Sequence, residues 1–259
     1  MGQILDALEG ILNGTFYLGG RIIPGSLEFI RALENTGRSY LFLTNNSSHN
    51  AQFYQKRLEG MGLSVPLERI LTSGSATAAL IRERYAGKRA FVLGNEYLLA
   101  EFEEAGVPID QQNPDLVVIG YDTTLDYKKM TAVCDFVRAG LPYVATHPDF
   151  NCPTETGFAP DIGAIMAFIE ASTGRRPELI VGKPHAEIVN AALKRTGSTR
   201  EETAMVGDRL YTDIETGLRY GMLSILVLSG ETTPEMLAAS QTKPDFVFDC
   251  LGEMVPLLQ

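Results

Sequence analysis

The sequence predicts an α/β fold with mainly parallel sheets. Short apolar runs that end in small or polar residues recur along the chain, and stretches with helical periodicity separate them. No repeat at 20–50 residues and no low-complexity linker interrupts the pattern, so a second domain would have to be inserted on short connections. In chain order, the expected buried strands are SYLFLT at 39–44, RAFVLG at 89–94, DLVVIG at 115–120, PYVAT at 142–146, TAMVGD at 203–208 and MLSILVLS at 222–229. A helix is expected over 184–197, where Ile188, Val189, Ala192 and Leu193 share one face and Gly197 follows as a stop. Ser198 and Glu201 have the spacing of a capping box. Thr233 followed by Pro234 reads as an N-cap with proline at the first helical position.

Composition bounds the function classes. At about 150 residues per domain, 259 residues make one large or two modest domains. Hydrophobic residues at 45% and charged residues at 21% are globular values and exclude disorder. Lys+Arg 22 against Asp+Glu 32 gives a net charge of −10. That balance argues against nucleic acid or an anionic membrane as partner. Three scattered cysteines make no disulfide framework and fit a reducing cytosol. No apolar run approaches the ~18 residues of a membrane span. The segment MGQILDALEG has no basic start followed by a long apolar stretch, and Asp6 stands where myristoylation expects Ser or Thr. The expected location is cytoplasmic.

In parallel α/β sheets, ligands bind beyond the carboxyl ends of the strands, so the residues that end each run are informative. SYLFLT ends in Thr44, Asn45, Asn46, Ser47 and Ser48, a hydroxyl- and amide-rich turn that reads either as an anion cradle or as a cap for the next helix. Lys183 sits between Gly182 and Pro184 at a loop-to-helix junction, either as a phosphate-reaching point charge or as a surface lysine. TAMVG breaks at Gly207, Asp208 follows, and Asp213 comes five residues later. Two carboxylates at a strand end suit a hard cation such as Mg²⁺, although Asp213 also fits a helix cap.

TNNSS, GKP and GDRLYTD, in that order, resemble motifs II, III and IV of the haloacid dehalogenase (HAD) superfamily. GTFYLGGRIIPGSLEF, ATHPDFNCPTETGFAPDIGAI and SGETTPE are similar to the subfamily IIA branch, the p-nitrophenyl-phosphatase and N-acetylglucosamine-phosphatase-like proteins. The resemblance runs from about Asn13 to the C-terminus. It implies a Rossmann-like parallel-sheet core at 1–75 and 180–259 with a C2-type α/β cap inserted at 76–179. It also implies Mg²⁺-assisted phosphoryl transfer on a small phosphorylated metabolite, through an aspartyl-phosphate that water cleaves. Thr44 would hold a phosphate oxygen, with Asn45 and Asn46 beside it, and Lys183 would neutralise phosphate and nucleophile. Asp208 would hold the metal, Asp213 would support it, and the Asn13 carbonyl would be a further ligand. The family's habit of oligomerising points to a homo-oligomer.

Motif I departs from the family pattern. The family reads DxDGT where this chain reads EGILNGT, so anchoring on Gly14-Thr15 puts Ile11 at the nucleophile and Asn13 at the acid/base. Ile11 has no lone pair with which to attack phosphorus, and the Asn13 side chain cannot donate a proton as a carboxylic acid does. Ala7-Leu8-Glu9-Gly10 also reads poorly as a central strand, because it would bury a carboxylate and a glycine. A two-residue deletion would instead make Gly10-Ile11-Leu12 the strand, and an insertion would let Ile4-Leu5-Asp6 supply strand and nucleophile. Three functional readings follow: a phosphatase-family enzyme weakened or silenced at motif I, a non-catalytic phosphate-ligand sensor, and an oligomerisation partner. Of the remaining polar residues, His147 and Cys152 fall in the cap segment that the resemblance places near the active-site opening. His49 and His185 read as helix-surface groups. Tyr121, Tyr127 and Tyr143 read as packing residues.

Overall fold

The computed structural model describes residues 14–154 and 157–258 and the backbone of 7–10. Along the chain the strands are β1 (Ala7–Gly10), β2 (Tyr17–Leu18), β3 (Arg21–Ile22), β4 (Ser39–Thr44), β5 (Ile70–Thr72), β6 (Ala90–Leu93), β7 (Leu116–Ile119), β8 (Tyr143–Ala145), β9 (Asn151–Thr154), β10 (Gly157–Pro160), β11 (Leu179–Ile180), β12 (Thr203–Gly207), β13 (Leu223–Val227) and β14 (Phe246–Phe248). The helices are α1 (Ser26–Asn35), α2 (Ala51–Gly60), α3 (Ser73–Arg84), α4 (Glu96–Glu104), α5 (Tyr127–Arg138), α6 (Ile162–Thr173), α7 (Ala186–Thr196), α8 (Glu215–Tyr220) and α9 (Pro234–Ala239). These residues divide into two compact units, the first drawn from 1–44, 54–71 and 183–259, the second from 45–53 and 72–182.

The first unit is built on a six-stranded sheet in the order β14-β13-β12-β1-β4-β5. Numbered by their succession in the chain, its strands run 3-2-1-4-5-6 from β5 to β14, the doubly wound order of a Rossmann-like sheet. β14, β13, β12, β1 and β4 are mutually parallel. β1 is the central strand, in register with both neighbours: Gly10 stands opposite Val206 on one side and Phe42 on the other. That corrects the expectation that Ala7-Leu8-Glu9-Gly10 disfavours a central strand. Pairing on both sides satisfies the backbone of this short segment, and a backbone ladder is indifferent to side-chain type. The two gapped alternatives turn on Ile4, Leu5, Asp6, Ile11, Leu12 and Asn13, which lie outside the described residues. The six apolar runs read from sequence all form strands, because buried parallel strands need apolar faces on both sides.

The second unit is a four-stranded parallel sheet, β11-β8-β7-β6, with an antiparallel hairpin of β9 and β10. Phe91, Val117, Val133, Tyr143, Ile162 and Ile169 are buried in its core. Tyr143 packs as expected, but Tyr127 is 81% exposed, because it opens α5 on the solvent side.

Helix α7 keeps its expected stop, with Gly197 left-handed at φ 72°. Thr233 caps α9 by accepting the Met236 N–H. The capping-box spacing of Ser198 and Glu201 opens no helix. Only a short turn separates α7 from β12, too little chain for a helical nucleus, and the Thr199 N–H donates to the Glu202 carboxylate there at 3.0 Å. No helix among the described residues is long and apolar enough to cross a membrane.

Candidate active site

The topological switch point of the first sheet lies between β1 and β12, where chain order reverses across the sheet. The carboxyl ends of strands at such a point diverge and leave a crevice for a ligand. Thr44 ends β4 and Asp208 directly follows β12. Those two strand ends stand about 10 Å apart across β1, two interstrand spacings. Lys183 joins this edge: its Nζ is 3.5 Å from the Leu43 carbonyl and 2.9 Å from Asp213 Oδ1.

The surface-lysine reading of Lys183 is overturned. The residue is 1% exposed and its partner Asp213 is 0% exposed. An ammonium is buried this deeply only when a partner compensates its lost hydration, and a carboxylate at ion-pair distance does so. Asp213 lies in the single wide turn Leu210–Ile214. Its Oδ2 accepts the Arg209 N–H at 3.1 Å, so this carboxylate also closes the turn from within, while the N-cap of α8 is Ile214.

Asp208 is held on every side. Its Oδ1 accepts the Thr15 hydroxyl at 3.1 Å and its Oδ2 accepts the Glu231 N–H at 2.8 Å. Its backbone carbonyl accepts the Thr232 hydroxyl at 2.6 Å. Two glycines let the main chain come this close. A Cβ on Gly14, which is left-handed at φ +89°, would stand 2.2 Å from Asp208 Oδ2, and one on Gly230 would stand 2.0 Å from it. The Ser229 hydroxyl donates to the Gly14 carbonyl at 2.9 Å and ties these two segments together.

Burial, and next the negative charge of Asp213, push the Asp208 carboxyl up to about 6. The Glu231 N–H, the Arg209 guanidinium and the Thr15 hydroxyl oppose that shift without cancelling it. A buried carboxylate raised by desolvation and a like charge is stabilised by added positive charge, and an all-oxygen donor set suits a hard cation. Among the described residues no group of three or more His, Cys, Asp or Glu stands together as a metal set. Further oxygen ligands would have to be carbonyls or water, which Mg²⁺ accepts. Asn13, the expected carbonyl ligand, lies outside the described residues.

Asn45 and Asn46 belong to the second unit. The Asn45 amide donates to the Asp149 carboxylate at 3.2 and 3.3 Å. Asn46 Oδ1 accepts both the Ser48 N–H and the Ser48 hydroxyl at 2.9 Å, a local turn. The residue that caps α2 is Asn50, whose Oδ1 accepts the Phe53 N–H at 3.0 Å. His147 is fully buried with its Nε2 at 3.0 Å from Asp161 Oδ1. His49 does not sit on a helix surface: it precedes α2 and stacks on Phe53 at 3.8 Å, within reach of Tyr97 at 5.2 Å. His185 occupies the N-cap position of α7.

Sequence reasoning missed Thr15, Glu231 and Thr232 as neighbours of Asp208, and Ser229 as the tie to Gly14. The available signal was SGETTPE, a small polar segment directly after the apolar run at 222–229, hence at the same sheet edge.

Comparison with known proteins bears on this geometry. A family model described as haloacid dehalogenase-like hydrolase matches residues 12–108, and one described as HAD-hydrolase-like matches 180–254. A crystal structure of a 4-nitrophenylphosphatase from Thermotoga maritima is 48% identical, covers 98% of each chain and superposes with a TM-score of 0.96. A 5′-nucleotidase of Bacillus subtilis is 34% identical over 99% of this chain and 98% of its own length. An acid sugar phosphatase of Staphylococcus aureus is 36% identical over 96% of both. Related over nearly its whole length to such proteins, the chain belongs to the haloacid dehalogenase-like hydrolase family.

Proposed function

We propose that this protein is a Mg²⁺-dependent phosphatase-type hydrolase of small phosphomonoesters, with turnover held low by Ile11 and Asn13 in motif I. The observation that supports it most is the buried Lys183–Asp213 pair beside the raised Asp208 carboxyl at the switch point of the core sheet. The solved and curated relatives named above are phosphatases and a nucleotidase. A cytoplasmic location belongs to the same reading. The second unit is read as the cap.

In this reading Thr44 and Lys183 bind the phosphate, the hydroxyl by donation and the ammonium by charge. Asn45 and Asn46 extend that set on the motif alone. Asp208 and Asp213, with the Asn13 carbonyl, hold the cation, which would neutralise charge on the phosphoryl oxygens. Asp213 keeps the Lys183 ammonium in place. Positioning and charge stabilisation supply most of phosphoryl-transfer catalysis, so these residues retain a basal function without an aspartate at position 11. The loss of a general acid at position 13 alone removes about 10²–10⁴-fold.

The test is turnover with Mg²⁺ on a panel of small phosphate esters, for the natural chain and for an Ile11→Asp/Asn13→Asp variant. The reading expects at least about a 10³-fold gain in the variant, the loss of acid and nucleophile taken together. High turnover in the natural chain that vanishes in Asp6→Asn would overturn it, by showing that Asp6 serves as nucleophile. No turnover in either protein, with phosphate analogues still bound, would favour the sensor reading that Ile11 and Asn13 motivate.

A further inference from the structure

We propose that Glu231 is a positioning residue for Asp208, strapping the segment that follows β13 onto the turn that follows β12 so that the Asp208 carboxylate is presented to the cation in one orientation. The inference rests on the reading that Asp208 holds Mg²⁺. Among the described residues, Glu231 makes three polar contacts, and each reaches the stretch from Asp208 to Tyr211. Its N–H donates to Asp208 Oδ2 at 2.8 Å. Its Oε2 lies 2.9 Å from Arg209 Nε, and its Oε1 accepts the Tyr211 hydroxyl at 2.7 Å.

Stability alone accounts poorly for this arrangement. The Arg209 and Glu231 side chains are 18% and 29% exposed, a largely buried pair whose Coulomb gain is offset by the desolvation of both charges. Tyr211 is a large ring left more than half in solvent, and its hydroxyl donates to Glu231. What the strap does achieve is a fixed main-chain donor. The Glu231 N–H and the Thr232 hydroxyl both meet Asp208, and Gly230 leaves no space between the segment and the carboxylate. If the strap loosens, Oδ2 loses its donor and the carboxylate can rotate. Groups that orient a metal ligand typically change metal affinity by about 10–100-fold when removed.

The experiment measures Mg²⁺ binding by calorimetry in the natural protein and in Asp208→Asn, Glu231→Ala and Glu231→Gln. Hydrogen exchange of the segment 229–232 is followed in the metal-free proteins. Glu231→Ala is expected to weaken Mg²⁺ about tenfold and to accelerate exchange in that segment. Glu231→Gln keeps an acceptor for Tyr211 and should fall between Ala and the natural chain. Faster exchange with unchanged affinity would overturn the proposal, and so would lost affinity with unchanged exchange, since charge rather than position would then act. Should Asp208→Asn bind Mg²⁺ as well as the natural protein, the metal reading itself fails and the proposal with it. Loss in Asp208→Asn beside full affinity in Glu231→Ala fails the strap alone.

Discussion

Each unit buries a polar cluster, and the two clusters differ chemically. In the second unit, hydroxyls, backbone N–H groups, an imidazole and the Asp161 carboxylate satisfy one another. The Ser47 and Thr146 hydroxyls meet at 2.9 Å, the Tyr121 N–H donates to Ser47, and Asp161 Oδ1 faces His147 while accepting the Ile162 N–H at 2.7 Å. The Ser73 hydroxyl donates to the Asn45 carbonyl. In the first unit, burial, and next the charge of Asp213, raise the Asp208 carboxyl, and the buried Lys183 pairs with Asp213. A cluster whose bonds close on themselves stabilises a loop scaffold. A cluster left with excess negative charge is poised for a cation. On the proposed function, the cluster of the second unit is scaffold and that of the first unit serves the chemistry.

The largest effect that would break this contrast is at the ion pair. Lys183→Met leaves Asp213 buried without its cation, and a loss of about 3–5 kcal/mol is expected in denaturant unfolding. A loss below about 1 kcal/mol, the range of exposed pairs, would show that the pair is solvated and not part of a charged cluster.

Next in size is the pH dependence of Asp208. Its folded pKa lies above its unfolded one, so the native state binds the extra proton between about pH 4 and about 6. The group's contribution is therefore fully present below about pH 4 and is lost as pH rises through about 6. The size is about 2–3 kcal/mol. Metal-free natural protein should lose stability relative to Asp208→Asn across that window. Parallel stability curves for the two proteins would refute it. On the proposed function, Mg²⁺ held by the ionised carboxylate would bind more weakly as pH falls below about 6.

In the second unit the comparison predicts that a neutral acceptor suffices. Asp161→Ala removes both the α6 cap and the partner of His147, at a cost of about 2 kcal/mol. Asp161→Asn keeps one oxygen for both donors and should cost less than about 1 kcal/mol. Equal losses in the two variants would mean that charge matters there after all. The smallest effect is Tyr143→Phe. The Tyr143 hydroxyl is buried with no hydrogen-bond partner among the described residues, so its removal should be neutral or slightly stabilising by thermal unfolding.

The apolar runs marked the strands because burial on both faces writes a strong local signal, as SYLFLT and TAMVG show. β1 was harder to read, since Glu9 and Gly10 break the apolar pattern while the ladder to β4 and β12 supplies what composition does not. β5, β11 and β14 are two or three residues long, too short for periodicity. Asp208, Asp213, Lys183 and Thr44 were legible because each follows a strand end or a loop-to-helix junction with unusual neighbours. Glu231 was not legible, because its side chain acts through residues twenty or more positions away.

By itself, then, the sequence determined the alternation of strands and helices, the acidic, globular-type composition, and the residue types that stand at this edge. Those are properties of local patterns and of side-chain identity. Tertiary structure alone decided that Lys183 is buried rather than solvated, that Asp208 is raised by burial and by Asp213, and that a glutamate after β13 grips the turn after β12. Each of these depends on distance and dielectric between segments far apart in the chain, and no local pattern encodes either quantity.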